Sequence, residues 1–353
     1  MNVLIDIGHP AHVHFFRHPI TRLRERGHQV AITSRDKECV IDLLDSLGLD
    51  HRVLSRQRHG ILGLGVELIQ REAALYWLSR GFKPDVMAEI GGIFVAHVGR
   101  LLSVPALAFY DTENATLQNA LTYPFASAVV VPRCYSGPLP PRRHIRYAGY
   151  HELSYLHPDY FCADQERALG AGLAPEGDTF LLRIVSWRAN HDIGEKGWTP
   201  ELLVALINRL APLGKVILSA EHATDPRFAP YLYQGPAADL HHLLAFCRLY
   251  VGESATIASE AAVLGVPAIY AASTGRGYTN EQEARYGLVK NVRELSLAAI
   301  GPAIDVFLAK PPAHWQEARA ALLGDTLDVA AFVTDCIERF PAPLREYQSG
   351  LRS

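Results

Sequence analysis

The chain has 353 residues, 49% hydrophobic and 20% charged, with a formal net charge of −3. That length exceeds one ordinary core, so two domains are expected, and the balance is that of a folded globule with no basic excess to attract nucleic acid. Five scattered cysteines (Cys39, Cys134, Cys162, Cys247, Cys336) without a CxxC pair predict neither a zinc cage nor a disulfide framework; no basic-then-apolar leader and no apolar run of about 18 residues predict a cytoplasmic chain without a spanning helix.

The first half alternates strand and helix. Val3–Ile7 reads as a strand. A polar loop, Gly8-His9-Pro10-Ala11-His12-Val13-His14, leads into a helix that stops at Gly27. Strand Gln29–Ser34, helix Glu38–Leu47 and a short strand near His51–Leu54 follow. Residues 61–82 form the most apolar helical stretch, read as a core or interdomain helix, with contact at the inner face of a membrane as the alternative. Strand Val86–Ile90, a helix from Gly91-Gly92, and strands Val104–Tyr110, Ala126–Val131 and His144–Tyr147 complete the half. Such alternation implies parallel strands joined by right-handed crossovers.

Residues 149–178 break the pattern with Gly149, Pro158, Gly170, Gly172, Pro175 and Gly177. This gives an N-terminal domain 1–150, a connection 151–178, a C-terminal domain 179–326, and a final helix and tail 327–353. The second domain runs through strand Thr179–Ser186, helix Pro200–Ala211, strand Lys215–Ala220, helix Ala237–Phe246, the stretch 249–270 and strand Leu288–Lys290. Helices near Arg293–Leu308, His314–Leu323 and Leu327–Phe340 end the chain. The expected architecture is α/β: two doubly wound, Rossmann-like parallel-sheet domains facing across a cleft that gathers strand carboxyl ends, where such folds bind ligands.

Residues 249–270, LYVGESATIASEAAVLGVPAIY, carry the most specific signal. Leu249–Val251 is a strand, Gly252-Glu253-Ser254 a turn, and a helix from Ser254 stops at Gly265 before the next strand. The turn aims backbone N–H groups and the positive end of a helix at a ligand, a geometry suited to a diphosphate. Ser254 and Thr256 add hydroxyls, and Glu260, one turn below Thr256, can accept two hydrogen bonds from a ribose diol. The same residues are satisfied if Ser254 is only a helix cap.

Other candidates follow strand ends. Asp111 and Glu113 come after strand Val104–Tyr110, where a carboxylate can deprotonate a hydroxyl; Asp111 as a helix cap is the bland alternative, and Glu89 is a weaker candidate of the same kind. Ser186, Arg188 and His191 follow the first strand of the second domain, where arginine can neutralise a departing diphosphate. His222 follows strand Lys215–Ala220 and can approach a nucleotide, and loop Ser273–Gly277 can close over a ligand. His9, His12, His14 and His18 crowd one segment without a carboxylate or cysteine among them, so no metal site is expected. His12 reads as a polar group at the ligand, either a base for an acceptor hydroxyl or a donor to a leaving oxygen, with helix-cap bonding as the alternative.

These residues resemble a known family. GESATIASEAAVLGVPAI is similar to the donor-binding segment of GT-B-fold sugar-nucleotide enzymes, closest to the Ser-Gly-Gly-x-x-Glu-Glu-x-x-x-Leu-Gly-x-Pro run of UDP-N-acetylglucosamine 2-epimerases. The resemblance assigns Ser254, Ala255 and Thr256 to the diphosphate and Glu260 to the ribose. Over nearly the whole chain, DIGHPAHVHFFRHPI, GHQVAITSRD, FYDTENA, YPFASAVVVP and YAGYHELSYLHP resemble the domain-of-unknown-function 354 family, which looks like a branch of the same superfold. PAHVHFF is similar to the Gly-Gly-His-Val turn of the lipid II-forming N-acetylglucosaminyltransferase, with His12 in the place of its histidine. The epimerases carry His-x-Glu-Ala-Gly-x-Arg where this chain has Asp111-Thr112-Glu113-Asn114, and their His-Arg-Arg-Glu-Asn loop is only loosely echoed by Trp187–His191. Both departures weigh against epimerisation.

The resemblance implies a GT-B glycosyltransferase of surface-glycan or glycoconjugate synthesis. It takes a nucleoside-diphosphate sugar, a UDP-sugar first, as substrate, with no tightly bound cofactor. Its acceptor is a glycan or a lipid-linked molecule. A UDP-sugar 2-epimerase and a non-catalytic nucleotide-sugar-binding module are the alternatives.

Overall fold

The computed structural model describes residues 1–58, 60–185, 197–220 and 225–348. The chain divides into two compact units, one comprising Met1–Tyr155 with the segment from Leu327 onward, the other Leu156–Thr326.

The first unit holds β1 (Asn2–Ile7), α1 (Pro10–Glu25), β2 (Gln29–Asp36), α2 (Val40–Ser46), β3 (Arg52–Arg56), α3 (Gly60–Phe82), β4 (Val86–Ile90), α4 (Ile93–Leu102), β5 (Ala106–Phe109), α5 (Thr116–Thr122), β6 (Ala128–Pro132) and β7 (His144–Tyr147). Its seven strands are parallel in the order β3-β2-β1-β4-β5-β6-β7. The order reverses between β1 and β4, the position at which doubly wound sheets place ligands. Covered on both faces, the central strands read as continuous apolar runs, and Val3, Leu4, Ile5 and Leu107 are fully buried. Asp6 and Glu89 interrupt those runs in register with each other across β1 and β4.

The second unit holds α7 (Gln165–Gly170), preceded at the boundary by the short α6 (Leu153–Leu156), then β8 (Asp178–Ile184), α8 (Pro200–Leu210), β9 (Gly214–Ala220), α9 (Leu240–Ala245), β10 (Leu249–Gly252), α10 (Ala255–Leu264), β11 (Ala268–Ala271), α11 (Gly277–Glu281), β12 (Val289–Val292), α12 (Leu297–Leu308) and α13 (Pro312–Gly324). Its five parallel strands run β12-β11-β10-β8-β9, with the reversal between β8 and β10. Two final helices, α14 (Val329–Glu338) and α15 (Ala342–Gln348), return to the first unit, where Leu327 N–H bonds Ala148 O at 2.9 Å and Glu338 accepts from His28 at 2.9 Å.

Several elements differ from their sequence expectations. The polar loop after β1 is only Gly8-His9. Pro10 occupies the first turn of α1, where its fixed φ suits a helix and its missing N–H costs nothing, and the His9 side chain caps the Ala11 N–H at 3.2 Å. Residues 149–178, read as the connection between domains, contain α6 and α7. The expected helix Ala237–Phe246 is a 3₁₀ turn, Ala237–Asp239, followed by the shorter α9. The polar segment Gly277–Tyr286, which shows no helical periodicity, forms α11 and one π turn.

Candidate functional site

In the second unit, β10 ends at Gly252 and α10 opens at the reversal of strand order. A side chain at 252 has no room: a Cβ there would meet Tyr250 Oη at 2.3 Å and Arg183 Cβ at 2.9 Å. Ser254 is the N-cap, extended in backbone, its Oγ accepting from Ile257 N–H at 3.3 Å, and Tyr250 Oη donates to Ser254 O at 3.0 Å. Ala255 and Thr256, the first two helical residues, have no intrahelical acceptor for their N–H groups. Thr256 is partly exposed and Ala255 nearly buried. Gly265, at φ 81°, closes the helix in a conformation that favours glycine.

Glu260 lies on the buried side of α10, only 5% exposed, with Oε1 3.0 Å from His241 Nε2 on α9. Glu253, 3% exposed, accepts from Val185 N–H at 3.1 Å and Trp198 N–H at 2.6 Å, and so ties both flanks of residues 186–196 to the end of β10. Ser186, Arg188, His191 and His222 lie outside the described residues. A cation that the structure describes at this edge is Arg183. It stands beside Gly252 in register on β8, half-buried, its Nη1 donating to Ser219 Oγ at 2.6 Å. Sequence reading passed over it because an arginine inside an apolar strand gives no local signal of the neighbour it will face. Loop Ser273–Gly277 is held from beneath by Arg293, which donates to Ala272 O at 3.3 Å and to Thr274 O.

In the first unit, Asp111 follows β5; its Oδ1 accepts from Thr112 Oγ1 at 2.9 Å, and its Oδ2 lies 3.2 Å from His151 Nδ1. It does not cap α5, whose N-cap is Ala115. The Asp111 side chain is 22% exposed, whereas His151 is 8% exposed and packs against Phe15 in a tilted ring contact with centroids 4.4 Å apart. His151 Nε2 is buried without a partner. Glu113 Oε1 accepts from Ser136 N–H at 3.4 Å.

His12 sits in the first turn of α1, and its Nδ1 accepts from Gly8 N–H at 3.3 Å. Burial drives its imidazole well below the usual range; His9, Lys37 and His151 push the same way, against Asp111. The ring is therefore neutral at pH 7, and with Nδ1 engaged as an acceptor its proton resides on Nε2. In this tautomer His12 carries its donor N–H on Nε2. The base reading fits less well, because protonating Nδ1 would set two donors against each other.

The remaining histidines of that segment are separately engaged. His9 caps α1, His14 stacks on Tyr155 at 5.3 Å, and His18 accepts from Arg17, its pKa lowered to about 4 by burial. Among the described residues, no group of three His, Cys, Asp or Glu side chains is placed to hold a metal ion.

Beneath Gly8 lies a buried charge cluster that sequence reading saw only in part. Arg71 of α3, 1% exposed, donates from Nη2 to Asp6 Oδ2 at 2.8 Å; Asp6, fully buried, also accepts from Thr33 Oγ1 at 2.6 Å. A Cβ on Gly8 would lie 3.8 Å from the Arg71 guanidinium. Glu89 accepts from Val95 N–H at 3.3 Å, and its pKa is raised well above the ordinary 4.5 by burial first and then by Asp6, with Arg71 opposing. One cation thus serves two carboxyl groups, and Glu89 is the one whose protonated form is favoured. A raised carboxyl pKa favours folding most below the unfolded value of 4.5, and that contribution falls as pH rises. Glu89→Gln is therefore expected to match the parent near pH 4 and to exceed its melting temperature at pH 7, as read by thermal denaturation across that range.

A family model described as "Protein of unknown function (DUF354)" matches residues 1–276. An uncharacterized protein of Methanocaldococcus jannaschii is 22% identical over 281 residues, 76% of this chain and 81% of its own length. Among solved structures, the UDP-GlcNAc 2-epimerase of Neisseria meningitidis bound to UDP-GlcNAc superposes with a TM-score of 0.68 at 12% identity, covering 96% of this chain and 100% of its own. The glycotransferase of kitacinnamycin gives a TM-score of 0.65 at 13% identity, covering 96% and 98%. The fold is GT-B-like, and these fold neighbours are enzymes.

Proposed function

Because the chain belongs to the family described as "Protein of unknown function (DUF354)" and has a GT-B-like fold, we propose that it is a nucleotide-sugar-dependent glycosyltransferase with a UDP-sugar as its first-choice donor. The second unit binds the donor: the Ala255 and Thr256 N–H groups and Arg183 hold the diphosphate, and Ser254 shapes the turn. Glu260, fixed by His241, is the carboxylate offered to the ribose. The first unit supplies the acid–base groups. Asp111 takes the proton of the acceptor hydroxyl as its oxygen bonds the anomeric carbon and the bond to the diphosphate breaks. His12 donates to a developing anionic oxygen. His151 is a positioning residue, presenting Nδ1–H to Asp111 from behind.

The observation that supports transfer over epimerisation most is Asp111 itself: a partly open carboxylate at a strand end, held by a buried imidazole, within electrostatic reach of a neutral histidine. Epimerisation needs acid–base groups on both faces of the sugar; of the other carboxyl groups at this sheet edge, Glu89 is buried with its pKa raised and Glu113 accepts from Ser136 N–H. Incubation with UDP-, GDP- and CDP-sugars tests the reading. Free nucleoside diphosphate that appears only with an added acceptor supports transfer. Release without acceptor, or a new isomer of the sugar, supports the epimerase reading in its place.

A further inference from the structure

We infer that the outer face of α3, with the adjoining strand β3, is a docking surface for an anionic lipid bilayer. The helix is 23 residues long, yet it is not long and apolar enough to cross a membrane. Three of its four charged side chains, Arg80 being the exception, are engaged with neighbours in the first unit. Arg71 reaches Asp6, Glu67 is 3% exposed and held by Arg35 at 2.6 and 2.7 Å, and Glu72 bonds His97 at 2.5 Å. One apolar face packs inward, with Leu75 fully buried and Tyr76, Leu78 and Phe82 against the same core cluster, but a second apolar stripe is turned outward. Ile69 is 69% exposed, Trp77 67% and Val66 44%, spaced so that they form one stripe, and Val53 of β3 adds another exposed apolar side chain at 48%.

Charge identifies the occupant. Arg52, Arg58 and Arg80 are exposed around this stripe, Arg56 beside them pairs with Asp36 at 3.0 Å, and both carboxylates of α3 are committed to the partners just named. Arg52, Val53, Leu54, Ala74, Trp77 and Leu78 line a depression of about 390 Å³, so an arginine and a tryptophan share one shallow wall. A tryptophan and aliphatic groups rimmed by arginine match the boundary between headgroups and acyl chains: the ring and aliphatics enter, and the guanidinium groups meet anionic headgroups. A second copy fits less well, because a two-fold interface would set these arginines against their own equivalents. The inference stands on this face alone and is independent of the donor site.

Co-sedimentation with vesicles decides it. The wild-type chain should pellet with phosphatidylcholine vesicles containing about a quarter phosphatidylglycerol, more weakly with phosphatidylcholine alone, and less as salt rises. Ile69→Asp with Trp77→Asp should weaken partitioning about tenfold or more, and Arg52→Gln with Arg80→Gln should remove the preference for anionic lipid. Unchanged far-UV circular dichroism and melting temperature show that the variants are folded, which their exposed positions favour. Wild-type protein that stays in the supernatant at low salt overturns the inference. So does an aspartate variant that pellets as well as wild type, or one whose only change, by light scattering, is from dimer to monomer.

Discussion

Asp111→Asn is expected to lower acceptor-dependent release of nucleoside diphosphate by about 10²- to 10⁴-fold, the range that a positioned general base contributes. The substitution is nearly isosteric. The Asn side-chain oxygen can still accept from His151 Nδ1, so the packing of that ring on Phe15 is preserved. What is lost is the negative charge that takes the acceptor proton. Donor binding belongs to the other unit and should be unaltered, so the loss should fall on turnover and leave the thermal shift produced by UDP intact. His151→Gln should cost less, since a side-chain amide can still donate to Asp111. Steady-state kinetics with a fixed acceptor separates the cases, and an Asp111→Asn variant within threefold of wild type would remove Asp111 from the chemistry.

The largest effect on stability is expected from Arg71→Leu. The guanidinium is the cation bonded to Asp6, and Asp6 is fully buried. Truncation leaves a carboxylate sealed in the sheet with only Thr33 for company, a change that costs about 3–5 kcal/mol in comparable buried pairs. The Arg71 ring contact, 4.2 Å above Phe94, is lost as well. Adding Asp6→Asn should recover much of the loss, because the penalty is the orphaned charge and not the absent pair. Scanning calorimetry checks both variants, and the damage should be confined to the transition of the unit that contains β1. A double variant no better than Arg71→Leu would show that packing, and not charge, dominates.

The local half of this structure was legible in the sequence. Strand β4 was read at its full extent, and Ser254 and Gly265 mark the ends of α10 because capping and helix-stopping are properties of single residues. The opening of α1 was not, since His14 and its neighbours look polar enough for a loop while Pro10 quietly satisfies a first helical turn. Groups that meet through the fold were beyond reach. His151 lies in a glycine-containing stretch that reads as a connection, and nothing local says that it returns to Asp111. Arg183 and Arg71 each look like a flaw in an apolar pattern until register sets one beside Gly252 and the other under Gly8. For α3, composition points to a core or interdomain helix or to membrane contact; Leu75 is buried in the core, and the outward turn of Ile69 and Trp77 depends on which face the sheet claims.

The central claim, that the mouth of α10 grips a nucleoside diphosphate, is tested most directly by recording amide ¹⁵N–¹H spectra during a titration with UDP. The account expects the largest shifts at Gly252, Ala255 and Thr256, smaller ones along β8 near Arg183, and loss of the pattern in Arg183→Met. Saturable shifts that fall elsewhere while these amides stay unmoved, or no shifts at millimolar UDP, would contradict it.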